Sequence, residues 1–292
     1  LTETVASMTI DQCVPANAPQ LVFSGLDSSV AGDIESKFAH AGCTVVSNAK
    51  NFRMADDVPL LVPEINPDHL GLFSTQSDFR KWPGRIVTNP NCSTIILALA
   101  LAPLRGFGLS AATVSTLQAV SGAGYPGVSS FDMVGNVVPF IEGEEEKLET
   151  ETQKILGTLG QEGVLPYPMA ISAQTTRVPV LHGHTELVSI KLDSEISLST
   201  LRTAFHEFRG VPQEKLLPSA PVQPIIYTAD KHRPTPQLDV NNGDAMAVTV
   251  GRLRCCHVLD YKFVVLGHNT IRGAAGAALL NAELMHSEGL LD

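Results

Sequence analysis

Short apolar runs alternate with a segment of helical spacing in the first ninety residues. Leu21–Ser24 and residues 43–47 are β-rich runs, and the apolar positions of residues 33–41 between them follow the period of a helix. Strand, helix and strand joined by short connections are typical of a βαβ unit that feeds a parallel sheet. Two further apolar runs, at residues 60–62 and 85–88, continue the alternation. We therefore predict a parallel α/β domain over this part of the chain.

The pattern changes after residue 91. Polar residues precede the apolar run of residues 94–102, which predicts a buried helix with a polar cap. Further strands, an acidic helix and an amphipathic last helix are predicted at residues 112–120, 187–192, 246–252, 261–266, 142–156 and 269–288. We therefore predict an α+β domain here, with the last helix able to return to the first domain.

Composition limits the class of protein and its partners. The chain has 292 residues, of which 44% are hydrophobic and 17% charged, as is typical of a globular protein. Its formal net charge of −10 argues against nucleic acid or an anionic membrane as a partner. No apolar run reaches the roughly 18 residues of a membrane span, and the first residues do not resemble a signal peptide. We therefore expect a cytoplasmic protein.

Cys92 is a candidate nucleophile. The five cysteines include no CxxC pair, which disfavours a disulfide framework or a structural zinc site. Cys92 follows Asn91 at the start of the predicted buried helix, where the helix dipole and free backbone amides favour a thiolate. An alternative stays open, because a single cysteine before an apolar helix is more often a small buried hydrophobic residue.

A glycine-rich segment, residues 122–127, formally matches the G-x-G-x-x-G pattern of dinucleotide-binding turns. Pro126 stands where such a turn enters its helix, and residues 128–136 have no clear helical face. A plain glycine-rich loop is therefore favoured over a pyrophosphate site.

Two pairs of polar residues suggest a binding site. His182 and His184 are too close in sequence to share a helix face and have no third ligand at a familiar spacing, so we expect no metal. A strand is the alternative, with one histidine as general base and Arg177 as an anion clamp.

Glu144 and Lys147 either belong to a solvated helix turn or present a carboxylate and an ammonium to one zwitterionic ligand.

Together these residues resemble the aspartate-semialdehyde dehydrogenase family, particularly its archaeal and fungal branch. The similar segments stand in the family's order and cover residues 48–57, 62–67, 89–95, 118–127, 140–156, 177–186 and 267–275. The resemblance implies an α/β fold with a truncated Rossmann-like dinucleotide-binding domain and an α+β catalytic and dimerisation domain. We place the first domain at residues 1–91 and 268–292 and the second at residues 92–267.

The resemblance also implies the chemistry, which is the phosphorylating, NADP-dependent interconversion of aspartyl 4-phosphate and aspartate 4-semialdehyde. Cys92 resembles the nucleophile that forms a thioester, and His184 the acid/base that takes the thiol proton and assists the later steps. Gln118 resembles the glutamine that orients the reacting acyl group.

Substrate and cofactor residues follow from the same resemblance. Those for the substrate are Arg177 for the α-carboxylate, Glu144 for the amino group, Arg53 and Lys147 for phosphate, and Asn91 beside the nucleophile. Those for NADP are Ser24, Ser121, Gly122 and Asn269, the last of which meets the nicotinamide carboxamide. The family further implies a homodimer or homotetramer.

One departure from the family pattern affects cofactor binding. Family members begin with a strand, a glycine-rich loop and a helix, whereas residues 1–20 contain no glycine. The chain thus resembles a member without its first βαβ unit, for which we expect weak or absent NADP binding and little activity.

Two alternative functions stay open. One is a related acyl-phosphate or acyl-coenzyme A reductase of the same fold, which Glu144 disfavours because such substrates lack a free amino group. The other is a non-catalytic paralogue that dimerises through its second domain.

Overall fold

The first part of the chain forms a parallel sheet. A computed structural model describes residues 2–291; Leu1 and Asp292, at the ends of the expected first domain, lie outside the described residues. The strands and helices are β1 (Leu21–Ser24), α1 (Ser28–His40), β2 (Thr44–Ser47), α2 (Leu72–Arg80) and β3 (Arg85–Thr88). The strand order is β1-β2-β3, with both pairs parallel, so the predicted parallel α/β architecture is confirmed.

The apolar run at residues 60–62 forms no strand, contrary to its prediction. Leu60 makes a single parallel bridge with Thr88 at the end of β3. Pro59 and Pro63 stand on either side of the run, and neither has a backbone N–H to donate to a ladder. The pairing therefore stops after one residue.

A six-stranded mixed sheet makes up most of the rest. In chain order the long elements are α3 (Cys92–Leu101), β4 (Leu109–Gln118), α4 (Glu144–Ile155), β5 (Ala170–Arg177), β6 (His184–Leu192), α5 (Leu198–Glu207), β7 (Ile225–Thr228), β8 (Val248–Cys255), β9 (Tyr261–Gly267) and α6 (Gly276–Ser287). The strand order is β5-β4-β6-β9-β8-β7, in which β4–β5 and β7–β8 are parallel and the other pairs antiparallel. The sequence pattern does not predict β5, whose residues are mostly small and polar.

Shorter elements connect these. They are helical turns at Glu3–Ala6, Pro67–Gly71, Ala102–Phe107, Val120–Ala123, Ser130–Met133, Val211–Glu214, Pro236–Asp239 and Ile271–Ala275, and a ribbon of Thr158–Leu159 and Val164–Leu165. Within residues 2–291, no helix is both long enough and apolar enough to cross a membrane.

Helix α3 lies at the centre of the molecule. Every one of its residues after Cys92 is buried, and it packs against α4, β8 and β9. A helix that is apolar on all sides needs protein on all sides, and these elements provide it. The predicted buried helix is therefore confirmed, and its first residue is the candidate nucleophile.

The last helix differs from its prediction. A π-helical turn, Ile271–Ala275, precedes α6, and α6 is buried around most of its circumference rather than amphipathic. It packs against β2 in an apolar cluster that includes Val46, Leu280 and Leu284. The end of the chain therefore covers the first sheet, and this requires apolar residues on more than one helix face.

A buried ion pair fixes the π-helical turn to the loop after β2. Arg272 Nη1 and Nη2 donate to Glu64 Oε1 and Oε2, both at 2.7 Å, and both side chains are fully buried. Two parallel charge-assisted hydrogen bonds compensate for the removal of both charges from water.

Glu64→Gln should lower the free energy of unfolding by about 3–5 kcal/mol, because it leaves the Arg272 charge buried without a counter-ion. The double variant Glu64→Gln/Arg272→Met should recover most of that loss. Urea denaturation of both variants measures the difference. A Glu64→Gln protein as stable as the parent would show that the pair contributes nothing.

Candidate active site

Cys92 is the first residue of α3, as predicted. Asn91 precedes it in an extended conformation, and its Oδ1 accepts hydrogen bonds from the backbone N–H groups of Ser93 (2.9 Å) and Thr94 (3.1 Å). This side-chain cap uses donors that would otherwise lack a partner. Gly273 packs against the cysteine so closely that an added Cβ would lie 2.7 Å from Cys92 Cβ.

Asn91 also connects α3 to the acidic face of α4. Its backbone N–H donates to Glu151 Oε2 at 2.7 Å, and its Nδ2 donates to Glu144 Oε1 at 2.8 Å. The residue before the candidate nucleophile is thus bound by two carboxylates from one helix. The turn that carries Cys92 therefore has one orientation relative to α4.

His184 faces the thiol. Cys92 Sγ lies 3.3 Å from His184 Nε2, and the backbone N–H of Ala119 donates to His184 Nδ1 at 3.0 Å. A neutral imidazole has one N–H, so an Nδ1 that accepts places the ring proton on Nε2, towards the sulfur. The resting arrangement is an N–H group that points at Cys92.

Burial keeps both members of this pair neutral. Burial, followed by the charge of Glu144, raises the pKa of Cys92 to about 12, although Arg53 and Arg177 act in the opposite direction. Burial, with Arg177 as the next cause, lowers the pKa of His184 to about 3. The resting thiol therefore differs from the expected thiolate, because burial outweighs the two guanidinium groups and the backbone hydrogen bond from Ser93.

Glu144 is the centre of a polar network. Its Oε1 accepts from Asn91 Nδ2 and from Gln118 Nε2 (3.2 Å), and its Oε2 accepts from Lys147 Nζ (3.2 Å). Gln118 Nε2 also donates to Thr116 Oγ1 at 3.4 Å, which fixes the orientation of its amide. Glu144 and Lys147 face each other instead of pointing into solvent, so the interpretation as a solvated turn is wrong for this pair.

Two guanidinium groups complete the surroundings of the thiol. Arg177 ends β5 beside Gln118, and its Nη1 donates to the carbonyl of Ala119 at 2.9 Å. Arg53 donates to Glu151 Oε1 at 3.0 Å and to the carbonyl of Asn48 at 2.7 Å. Both side chains are buried, and each keeps positive charge close to the sulfur.

The glycine-rich segment lies against these groups and forms no dinucleotide turn. It opens with the turn Val120–Ala123, and the Tyr125–Pro126 bond is cis. A Cβ on Gly122 would lie 2.8 Å from Arg177 Nη1 and 3.0 Å from His184 Cε1. Only glycine permits this approach of the loop to the site.

Asn269 holds the same loop from the other side. Its Nδ2 donates to Ser121 Oγ at 2.8 Å, and its Oδ1 accepts from the backbone N–H of Gly183 at 2.9 Å.

Ser24 lies apart from this group, at the carboxyl end of β1, and its buried Oγ has no hydrogen-bond partner among the described residues. His182 is exposed before β6 begins, so the idea that both histidines lie on one strand is wrong.

Several residues of the site were not predicted. Glu151 and Lys154 lie on the buried face of α4, one and two turns after the predicted pair. Glu186 lies on β6 opposite Thr116 of β4, fully buried, and neither of its oxygens has a hydrogen-bond partner among the described residues. Burial, then Glu144, raises the pKa of Glu186 well above its usual range. Only the alternation of β6 from His184 could have placed Glu186 on the active-site face.

The fold and site define a class. A cysteine at the start of a central helix faces a histidine that begins an inner strand of a mixed sheet, and the same chain also forms a parallel α/β sheet. Residues 2–72 match the family model "Semialdehyde dehydrogenase, NAD binding domain", and residues 101–272 match "Semialdehyde dehydrogenase, dimerisation domain".

Similar proteins narrow the class. The chain is 48% identical to aspartate-semialdehyde dehydrogenase of Archaeoglobus fulgidus over 93% of this chain and 78% of that protein, and 44% identical to the Candida albicans enzyme over 100% and 85%. The crystal structure of the Candida albicans enzyme with NADP has a TM-score of 0.91 and 42% identity, and covers 99% of this chain and 85% of that one. Aspartate semialdehyde dehydrogenase II of Vibrio cholerae has a TM-score of 0.76 at 26% identity, over 92% and 80%. The chain belongs to the aspartate-semialdehyde dehydrogenase family.

Glu186→Gln should raise the free energy of unfolding at neutral pH by about 1–3 kcal/mol, because it removes a carboxyl that must stay protonated when folded. The folded-state pKa is raised, so the parent loses stability as pH rises above about 4.5, where the unfolded carboxyl ionises. The gain over the parent should therefore grow from pH 4.5 to pH 7 in thermal denaturation. The exposed Glu195→Gln is the control, and an equal pH slope for all three proteins would refute the prediction.

Proposed function

We propose that this chain carries out the phosphorylating, NADP-dependent interconversion of aspartyl 4-phosphate and aspartate 4-semialdehyde through a thioester on Cys92. The observation that carries the proposal is the 3.3 Å contact between Cys92 Sγ and His184 Nε2 at the N-terminus of α3. A thiol nucleophile beside an acid/base and several fixed charges is the arrangement that acyl transfer needs.

The acyl-transfer step uses residues of this chain alone. Cys92 sulfur attacks the carbonyl carbon of the acyl phosphate, the bond from that carbon to the phosphate oxygen breaks, and phosphate leaves. His184 has two tasks: with Nε2 protonated it donates to developing negative charge, and with Nε2 free it takes the thiol proton. The second form requires the proton on Nδ1 and gives up the contact with Ala119. At the start of α3 the N–H groups of Ser93 and Thr94 are used by the Asn91 cap, so in the proposal the backbone N–H of Cys92 donates to the oxyanion.

Complementary charges bind the substrate. In the proposal, Arg177 binds the α-carboxylate, and Glu144 the α-ammonium group. Lys147 now binds Glu144 at 3.2 Å, so an ammonium group that takes its place releases Lys147 towards the phosphate. Arg53 is the second phosphate ligand.

Asn91 and Gln118 orient the acyl group. Each donates one amide hydrogen bond to Glu144 Oε1, so both amides keep their direction when substrate binds. This fixed direction is what positions a reacting carbonyl next to the sulfur.

NADP, when bound, supplies or accepts the hydride. The described residues fit one end of this cofactor: Ser121, Gly122 and Asn269 would lie at the nicotinamide, with Ser24 further along the first sheet. They fit its phosphates less well. Helix α1 follows β1 after Gly25, and the Asp27 carboxylate caps its first N–H groups by accepting from Ser29 N at 2.9 Å, which opposes an anion there. We therefore propose that NADP binds weakly to this chain.

The domain division and assembly are parts of the same proposal. Residues 1–91 and 268–292 form the cofactor-binding part, and residues 92–267 the catalytic and dimerisation part of a homodimer or homotetramer. Large apolar side chains between residues 125 and 140 support self-association, because they are exposed in the single chain: Tyr125, Phe131, Val134, Val137 and Phe140. A cytoplasmic location, and the lack of nucleic-acid and membrane partners, stay predictions from the charge and the apolar pattern.

Incubation with aspartyl 4-phosphate should acylate Cys92 and release one phosphate per chain without any cofactor. Intact-mass and peptide mass spectrometry locate the aspartyl adduct, which hydroxylamine should remove because it is a thioester. Cys92→Ala should form none. Cys256→Ala is the matched control and should be acylated like the parent.

An unmodified Cys92 in a folded protein would exclude this proposal and support the non-catalytic alternative. Acylation by N-acetylglutamyl phosphate in preference to aspartyl phosphate would support the related reductase instead.

Calorimetric titration of the 292-residue chain with NADP should show dissociation constants above about 100 μM, compared with the micromolar values usual for enzyme ligands. Asp27→Asn should strengthen binding slightly, because it removes a negative charge from the N-terminus of α1. Micromolar binding by the parent chain would contradict the proposal of weak binding.

A further inference from the structure

Lys154 is a buried lysine that binds backbone and no carboxylate. Its Nζ, near the end of α4, donates to the carbonyl oxygens of Arg53 (2.8 Å), Ala55 (2.7 Å) and Val58 (3.0 Å). The residue is 5% exposed. An ammonium group has three N–H donors, and all three are used on one short loop.

The charged groups around Lys154 are engaged elsewhere or lie further away. Glu151, one turn earlier on α4, binds Arg53, and Asp57 of the loop is paired with Arg80. Asp56 contributes only longer-range attraction. His69 is also close enough to interact with the Lys154 charge, and burial lowers the pKa of its ring, which favours the neutral form. The positive charge of Lys154 thus acts mainly on the three carbonyl groups.

The loop that Lys154 binds carries Arg53 into the site. Arg53 reaches Glu151 and the carbonyl of Asn48, and its Nε has no hydrogen-bond partner among the described residues. Because Lys154 binds the backbone carbonyl of Arg53 itself, it fixes the backbone position from which the Arg53 side chain extends into the site. Glu151 then holds the same guanidinium from its other end.

We propose that Lys154 is a positioning residue for phosphate binding, which holds the loop of residues 53–58 so that Arg53 faces the phosphate of the substrate. This inference rests on the proposed function, in which Arg53 binds that phosphate. Lys154 itself does not touch the substrate.

The anchor is sensitive to pH. Burial lowers the pKa of Lys154 to about 8, although Asp56, Asp57 and Glu151 favour its charged form. A neutral amine has two N–H groups, so deprotonation leaves one of the three carbonyls without a donor. Phosphate affinity should therefore fall as the pH rises through 8.

Binding of inorganic phosphate to the full chain tests the proposal without NADP. Isothermal titration between about pH 7.5 and 9.5, where phosphate is mainly a dianion, compares the parent with Lys154→Met, Lys154→Arg and Arg53→Met. Lys154→Met should bind phosphate about tenfold more weakly at pH 7.5, because it removes the charged hydrogen bonds that hold the Arg53 loop. Lys154→Arg should bind phosphate within about threefold of the parent at pH 7.5. Its phosphate affinity should not fall above pH 8, because a guanidinium keeps its charge.

The variants separate the possible failures. Lys37→Met, an exposed lysine on α1, controls for the loss of one positive charge, and thermal denaturation confirms that each variant is folded. If Arg53→Met leaves the affinity unchanged, the phosphate assignment in the proposed function is wrong. If Arg53→Met weakens binding but a folded Lys154→Met does not, only the positioning role is overturned. A decline above pH 8 that persists in Lys154→Arg also overturns it.

Discussion

The geometry of the site depends on Asn91. Its four polar groups are all used: the side-chain oxygen caps α3, the amide and the backbone N–H bind Glu144 and Glu151, and the carbonyl accepts from the backbone N–H of Ile95. One residue therefore fixes the helix that presents Cys92 and the helix that carries the charges around it. Any shift of α4 relative to α3 would break two hydrogen bonds to buried carboxylates, which are among the stronger kind in proteins. The position of the Cys92 thiol is therefore fixed relative to the charged face of α4.

Helix α4 distributes its charges with the period of a helix. Glu144, Lys147, Glu151 and Lys154 follow one another at intervals of three or four residues, so they lie along one face. Glu144 binds the amides of Asn91 and Gln118, and Lys147 binds Glu144. Glu151 binds Arg53, and Lys154 binds the loop before Pro59. This acidic sequence is typical of a solvated helix, yet one of its faces is polar and buried. Helix α3 and the loop of residues 53–58 cover that face.

Local patterns predicted most of the elements and the place of Cys92 at the start of a buried helix, but not the protonation state of its thiol. Strands β1 and β3 have the predicted bounds, since their apolar runs end at polar residues or prolines, and Cys92 begins α3 because Asn91 is a strong cap. The ionisation of Cys92 depends on burial by residues far away in sequence, which no local pattern contains. The same holds for Glu186 and Lys154: their chemistry follows from which backbone or side chain lies opposite, and only the fold determines that.

The neutral Cys92–His184 pair and the three hydrogen bonds to the Glu144 carboxylate have one physical cause. Within a buried site, a charge persists only when enough partners replace its lost hydration. The carboxylate of Glu144 has three donors, whereas Cys92 has one weak contact and keeps its proton. A substrate that brings an ammonium group to Glu144 and frees Lys147 would reduce the negative charge beside the sulfur and add positive charge. The thiolate would then become more favourable only once the substrate is in place, so nucleophilicity would be linked to binding through Glu144.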